Sequence, residues 1–308
     1  MRVFNLLLAA LLFAAATSCT LDKTDYEAEI STEVTEYYEF EEAVSINSGD
    51  YKISIEALNG TFYKGYNEIR LKITNTLTNE LLKNVEVSFL PIKTNLNGNK
   101  TSCPHQYNMI YQNDKNHYSG YAVFTSESNP SDEWQLYVSF IDSTEKININ
   151  ANIQVKQQSN KNLNMTSFLG NDNSQYVIAL VAPQKPKVAE NEFVAGIYRY
   201  VEPTNAAETF PDPSQFTFGE VNRFTLKLDP RMPEPSMGNH SSPNNRDLVQ
   251  LNDNFYHGIV NYTMTGNWTL NFIMLNENGK IIKGTEVSKD FTPGVEGTKS
   301  ELFIDILF

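Results

Sequence analysis

The sequence is short of the residues from which most enzyme active sites are built. Its 308 residues include two cysteines, four histidines and two tryptophans. It contains no G-x-S-x-G, H-E-x-x-H, P-loop or G-x-G-x-x-G motif, the patterns that place nucleophiles, catalytic metals and nucleotides. Ser241 and Ser242 follow His240, but no acidic residue is recognisable that would orient this histidine in a triad. We therefore predict that the protein is not an enzyme.

Positive charge is also scarce. Lysine and arginine number 24 against 37 aspartates and glutamates, so the net charge at pH 7 is −13. A protein that binds nucleic acid needs a basic surface against the phosphates, and the sequence offers none. We therefore expect no nucleic acid partner.

The one long apolar run lies near the N-terminus. Leu6 to Ala16 is apolar, follows Arg2, and is succeeded by small residues up to Ser18, which predicts an export signal over residues 1–18. The run is too short to span a bilayer. The segment Ala16-Thr17-Ser18-Cys19 resembles a bacterial lipobox, with Ala in place of the usual Leu. The resemblance implies an exported lipoprotein whose Cys19 carries the lipid that anchors it to the cell envelope, with the outer membrane expected. The alternative is an ordinary signal peptide cut nearby, with Cys19 left as a spare thiol.

Residues 19–44 are acidic and show little apolar periodicity. A segment of this composition cannot bury enough apolar surface to fold alone. We predict a solvated tether that holds the folded part away from an anionic membrane.

The rest of the chain shows the alternation of β-strands. Apolar and polar residues alternate with a period of two, Asn-Gly turns separate the runs, and helical periodicity is not sustained. Short strands at this spacing predict an all-β protein built from antiparallel β-sandwiches. The clearest predicted strands are Tyr51–Leu58, Glu68–Thr74, Asn84–Phe89, Glu133–Phe140, Tyr176–Ala182 and Glu301–Phe308.

An internal repeat divides these strands into two copies. His117–Thr125 aligns with Phe255–Thr263, and each stretch is followed by a tryptophan that opens an alternating strand, Trp134 in the first copy and Trp268 in the second. We predict tandem domains at 45–156 and 175–308, joined by a polar linker at 157–174. The two tryptophans are expected to fill the space between sheets.

The second copy concentrates soft metal ligands. Of seven methionines in the chain, Met232, Met237 and Met264 lie between Asp229 and Trp268, together with His240. Thioethers and imidazoles favour Cu(I) and tolerate Cu(II), so the set predicts a copper site. His257 is a weaker candidate. The alternative is that the methionines plug the end of the sandwich while His240 holds the loop by hydrogen bonds.

The first copy has lost this set. Lys93, Thr101 and Ser126 stand where Met232, His240 and Met264 would be. It has instead Cys103, His105 and Met109, which predict a weaker Cu(I) set or, in the alternative, a half-buried thiol beside a surface histidine. A disulfide between Cys19 and Cys103 is excluded if Cys19 is lipidated.

Three segments carry a resemblance to a known family. Asp229–Pro233 (DPRMP), Met237–Asn245 (MGNHSSPNN) and Tyr262–Trp268 (YTMTGNW) resemble the YtkA-like/FixH-like domain, and tandem copies behind a lipobox are similar to lipoproteins of the Bacteroidetes type. The resemblance implies two tandem immunoglobulin-like antiparallel β-sandwich domains behind a lipoprotein signal and acidic tether, the first copy degenerate. It also implies a non-catalytic envelope module linked to copper handling or oxidase assembly, with the family's Met/His pattern on Met232, Met237, His240 and Met264. The chain departs from that pattern by inserting Glu234-Pro235, which would move Met232 away from Met237.

The rival hypothesis is a metal-free interaction module whose partner is an envelope protein or a surface glycan. Glycan binding by such modules uses exposed aromatic side chains. The candidates are Tyr37, Tyr38, Tyr63, Tyr66, Tyr107 and Tyr111.

Overall fold

Strands make up the regular structure, so the predicted all-β fold is confirmed. The computed structural model describes residues 39–158, 161–203 and 218–307, which all belong to one compact unit, Thr35–Phe308. Within these ranges the only helical element is a single 3-10 turn, Pro235–Met237. The described residues form no helix with the length and apolar character needed to cross a membrane. The signal at 1–18, Cys19 and most of the tether lie outside the described residues.

The first half of the chain forms two facing sheets. One has the strand order β1-β2-β4-β8-β7 and the other β10-β9-β5-β6, and their neighbouring strands are antiparallel. A short parallel pair joins β3 to β11. The strands are β1 (Phe40–Ser48), β2 (Tyr51–Leu58), β3 (Phe62–Tyr63), β4 (Gly65–Asn75), β5 (Val87–Asn95), β6 (Lys100–Ser102), β7 (Ile110–Gln112), β8 (His117–Phe124), β9 (Asp132–Asp142), β10 (Glu145–Ile153) and β11 (Val155–Lys156).

The second half repeats this strand order. The series β12-β13-β14-β19-β18 corresponds to the first sheet, and β22-β20-β16-β17 to the second. Because β18 pairs with both β19 and β16, the two series are joined into one continuous sheet. The strands are β12 (Met165–Leu169), β13 (Gln175–Ala182), β14 (Glu190–Tyr200), β15 (Phe218–Glu220), β16 (Thr225–Met232), β17 (His240–Ser241), β18 (Arg246–Gln250), β19 (Tyr256–Asn261), β20 (Asn267–Leu275), β21 (Ile281–Lys283) and β22 (Phe303–Leu307).

Each half has its own apolar core, and the alternation of the sequence explains why. In β4 the residues at every second position, including Ile69, Leu71 and Ile73, are buried, while those between them are partly exposed. Successive side chains of a strand point to opposite faces, so this pattern buries one face of the sheet. Trp134 lies in the first core and Trp268 in the second, both almost fully buried. Their packing positions are therefore as the sequence predicts.

The same tyrosine contact closes both cores. The hydroxyl of Tyr118 accepts a hydrogen bond from the backbone N–H of Val85 at 3.1 Å. The hydroxyl of Tyr256 accepts one from Phe224 N–H at 3.3 Å. In each half the tyrosine ring is buried, and its hydroxyl bonds the chain just before a strand of the second sheet series, β5 in the first half and β16 in the second.

Two predicted boundaries need correction. β1 begins at Phe40, inside the stretch predicted as tether, and β12 (Met165–Leu169) lies inside the predicted linker and pairs with β13. β12 pairs with a neighbour on one side, and Met165 is its one fully buried side chain. An edge strand with so little buried surface can have the polar composition of a linker, which is why the alternation did not reveal it.

The connection between the halves is held against the first half. The side chain of Gln158 donates to the carbonyl of Lys64 in the first half at 3.4 Å and to that of Leu163 at 3.3 Å, and it accepts from Leu163 N–H at 3.1 Å. Gly65 has a positive φ of 101°, and a Cβ atom there would lie 2.2 Å from the Leu163 carbonyl oxygen. Glycine is therefore needed at position 65 to let the connection pass so close.

Aromatic side chains join the two halves. Tyr121 of the first half packs against Phe255 and Tyr198 of the second, with ring centroids 5.5 and 6.3 Å apart. Tyr66 stacks on Tyr121 at 5.6 Å and meets Phe255 edge-on at 6.1 Å. Tyr66, a candidate for glycan binding, is therefore used in this contact between the halves.

Candidate metal centre

The predicted ligands lie at one end of the second core, where β16 passes into β17. Met232 is the last residue of β16 and His240 the first of β17, and the two are paired across the antiparallel ladder. Met232 is 2 % exposed, whereas His240 is partly exposed. The hairpin therefore places a buried thioether and an accessible imidazole on neighbouring strands.

The second contributing stretch is the connection between β19 and β20. Trp268 is 0 % exposed, and its indole N–H donates to the carbonyl of Met264 at 3.1 Å. Met264 lies in this connection, between the end of β19 and the start of β20. β19 ends at Asn261 and β20 begins at Asn267, and the chain reverses between them with Gly266 at a positive φ of 127°.

Direct contacts join the two stretches. Nε2 of His240 lies 2.8 Å from Oγ1 of Thr263, the residue before Met264. The His240 and Trp268 rings are 6.1 Å apart between centroids. A Cβ atom on Gly266 would lie 2.9 Å from the terminal methyl of Met232, so this methionine reaches the β19–β20 connection. The His240 ring and the Met264 carbonyl thus both lie beside Trp268, and the Met232 side chain reaches the turn just before it.

Met237 completes the predicted set. It ends the 3-10 turn Pro235–Met237, which begins within the Glu234-Pro235 insertion, and its N–H donates to the Glu234 carbonyl at 2.9 Å. Met237 and Met264 are both partly buried and pack against the core cluster that contains Met232 and Trp268. The turn takes up the inserted residues, so the insertion does not carry Met237 away from this core.

A segment that the sequence did not single out fixes the loop. The side-chain amide of Asn239 donates to the carbonyls of Ser288 and Asp290 at 3.0 and 3.3 Å. Gly297 N–H donates to the Pro233 carbonyl at 2.7 Å. These contacts come from residues 284–300, the long excursion (an irregular connection) between β21 and β22. Its composition is polar and shows no periodicity, so the sequence did not indicate a structural role for it.

The first half shows the same positions with different side chains. Lys93 is paired with both Thr101 and Trp134 across its ladders, and the indole N–H of Trp134 donates to the carbonyl of Ser126 at 3.0 Å. An ammonium group and two hydroxyls therefore stand where the second half has two thioethers and an imidazole. This end of the first half offers no soft ligand at those three positions.

The weaker set of the first half is built into its core. Cys103 is a free thiol that is fully buried, and burial raises its pKa. Nδ1 of His105 lies 2.6 Å from the Cys103 carbonyl oxygen, so Nδ1 carries the hydrogen, and burial lowers the pKa of His105 to about 4. Met109 is 7 % exposed and packs in the same core. A buried thiol ionises with difficulty, so this arrangement favours a structural cysteine over a thiolate ligand.

His257 is engaged elsewhere. Its Nδ1 lies 3.1 Å from Glu192 and its Nε2 3.0 Å from Asp253. Among the described residues no group of three or more His, Cys, Asp or Glu side chains is placed to hold a metal ion. The candidate centre at Trp268 depends instead on thioethers.

The remaining glycan candidates are mostly packed. Tyr107 packs against Leu90, Ile92 and Tyr137, and the Tyr111 ring lies 4.9 Å from that of Tyr118. Tyr37 and Tyr38 lie outside the described residues. Tyr63 is partly exposed at the short parallel pair.

Comparison with known proteins gives little more. No protein-family model matches the sequence, and no curated protein matches it. One similar solved structure is that of a conserved domain protein from Bacillus anthracis, which is 11 % identical, with a TM-score of 0.31 over 89 % of this chain and 92 % of that one.

Proposed function

We propose that the protein is a non-catalytic lipoprotein of the bacterial cell envelope whose second domain binds copper. One observation carries the proposal: two stretches of chain that are 24 residues apart between His240 and Met264 meet around Trp268. The His240–Thr263 contact, the packing of His240 beside Trp268 and the Trp268–Met264 hydrogen bond support the proposal.

The donor set favours copper over other biological metals. Met232, Met237 and Met264 offer thioethers and His240 an imidazole, and soft donors of this kind select copper ions. Zinc prefers thiolate, imidazole and carboxylate ligands. A net charge of −13 also draws cations toward the protein in general.

The cellular setting follows from the N-terminal pattern. The predicted signal at 1–18 and the lipobox-like segment ending at Cys19 support a location outside the cytoplasm, with a lipid on Cys19 as the membrane anchor. The resemblance to YtkA-like/FixH-like domains supports a role in copper handling or oxidase assembly. The domains at 45–156 and 175–308 would then differ in role, the second holding the metal.

The test is a metal titration of the whole mature chain. Cu(I) is titrated under reducing, oxygen-free conditions into the wild type and into a Met237→Leu/Met264→Leu variant. Leucine keeps the apolar volume of methionine, so the fold should tolerate both changes. We expect the variant to bind at least about tenfold more weakly, because two of the four ligands are removed.

Met165→Leu is the matched control, since it removes a buried thioether that lies outside the centre and belongs to no proposed metal set. It should bind as the wild type does. Equal affinity in all three proteins, or no binding in any, would reject the copper proposal and favour the rival, an interaction module for an envelope protein.

A further inference from the structure

We propose that the indole of Trp268 is itself part of the centre and restricts it to monovalent soft cations. The inference rests on the copper proposal and adds a fifth contributing side chain. It also names the charge state, Cu(I) in preference to Cu(II) or Zn(II).

The geometry brings the indole close to the His240 ring and to the chain at Met264. The His240 ring lies 6.1 Å from the Trp268 ring, and Met264 is tied to the indole nitrogen through its carbonyl. Met232 follows Arg231, which pairs with Thr269, so Met232 comes next to Trp268 across the ladder. A cation interacts with an aromatic face up to about 6 Å from its centroid, and tryptophan is the best of the aromatic rings. An ion bound by His240 on the side of its ring that faces Trp268 would therefore lie in that range.

The surroundings strengthen the interaction. Trp268 is 0 % exposed, and the Tyr262 ring packs against it at 5.4 Å. Cation–π attraction grows when the pair is removed from water. The buried indole is thus a better partner for a cation than an exposed one.

The same surrounding groups favour an ion that carries only one positive charge. Thioethers, a neutral imidazole and an indole carry no negative charge, so they do not neutralise the ion that they bind. The cost of moving an ion from water into a region of low dielectric constant rises with the square of its charge. A centre of these groups therefore favours a monovalent ion over a divalent one.

The experiment uses the two tryptophans of the chain as matched reporters. Both indoles donate to a backbone carbonyl at the same place in the two halves, that of Ser126 for Trp134 and that of Met264 for Trp268. Trp134→Phe leaves Trp268 as the only indole, and Trp268→Phe leaves Trp134. The probe is Ag(I), an air-stable monovalent soft cation, and bound silver is measured separately by dialysis and elemental analysis.

We expect Ag(I) to change the fluorescence of the Trp134→Phe protein saturably, in step with the silver bound. In the Trp268→Phe protein we expect the fluorescence of Trp134 to stay constant and the affinity for Ag(I) to fall roughly fivefold, because phenylalanine is the weaker cation–π partner. An excess of Zn(II) should not displace the silver.

Three results would overturn the inference. They are unchanged fluorescence of Trp134→Phe while silver binds, wild-type affinity in Trp268→Phe, and displacement of silver by an excess of Zn(II). The first needs no change at Trp268, so it decides the matter even if Trp268→Phe does not fold. Silver binding with any of these results would leave the copper proposal intact, whereas no binding of Cu(I) or Ag(I) to the wild type would reject both.

Discussion

Removal of the Asn239 side chain should loosen the loop that carries Met237. Asn239 is 6 % exposed, has a positive φ of 53°, and donates to the carbonyls of Ser288 and Asp290. Asn239→Gly deletes both hydrogen bonds and keeps a residue that adopts a positive φ without strain. The change therefore isolates the contact between the loop and the excursion at 284–300.

The magnitude follows from the two lost bonds. Each is expected to contribute about 1 kcal/mol net, so together they give about 2 kcal/mol of unfolding free energy. Glycine also adds flexibility to the unfolded chain, an effect that a control variant must share. Asn254→Gly is that control, because Asn254 is exposed and has a φ of 69° in the turn before β19.

The assay is urea unfolding of the full chain, read by circular dichroism. We expect Asn239→Gly to lie about 2 kcal/mol below Asn254→Gly in unfolding free energy, a loss that lowers the melting temperature by about 2–4 °C per kcal/mol in a chain of this size. Cu(I) affinity should fall in Asn239→Gly alone, because the loop must then be ordered on binding. Equal stability of the two variants would show that the excursion does not hold the loop.

Three further outcomes are expected. The pKa of His105 is lowered in the folded state, so the folded protein binds this proton less well than the unfolded chain does. The contribution of neutral His105 to the unfolding free energy is therefore fully present above the ordinary pKa of 6.5 and is lost as pH falls toward about 4. Unfolding midpoints should fall less over this pH range in His105→Gln than in the wild type. Phe255→Ala removes a ring shared by both halves, so differential scanning calorimetry should separate one melting transition into two, and a single transition at an unchanged temperature would contradict the aromatic contact between the halves. Gly266→Ala places a Cβ atom 2.9 Å from the Met232 methyl at a φ of 127°, so both the melting temperature and Cu(I) affinity should drop, and wild-type values would show that Met232 does not reach this turn.

Alternation of apolar and polar residues was enough to predict the strands that bury one face. Tyr51–Leu58 coincides with β2, and Glu133–Phe140 lies within β9. Trp134 and Trp268 were predicted as core residues because large aromatics at such positions fill the space between sheets, and both are buried. Both signals depend on residues that are neighbours in the chain, so they can be recognised in a single sequence.

The parts that were missed depend on partners distant in the chain. β12 exists because β13 offers it a ladder, and no apolar pattern of its own marks it. Asn239 holds the loop because its side chain bonds the carbonyls of Ser288 and Asp290. These residues belong to an irregular segment about 50 residues further along the chain, so no local pattern indicates the contact. For the candidate centre, residue type singled out the proposed ligands, but their positions relative to Trp268 depend on where β19 ends, which the residue pattern alone did not fix.

The position of β12 decides where the chain can be divided. A shortened protein that starts at Gln175 would keep every proposed ligand yet lose the strand whose backbone pairs with β13 from Met165 to Leu169. The bare N–H and C=O groups of β13 would then be available to a second molecule, and such edges are templates for aggregation. Fragments intended for solution work should therefore begin before Met165, so that the whole of β12 is retained.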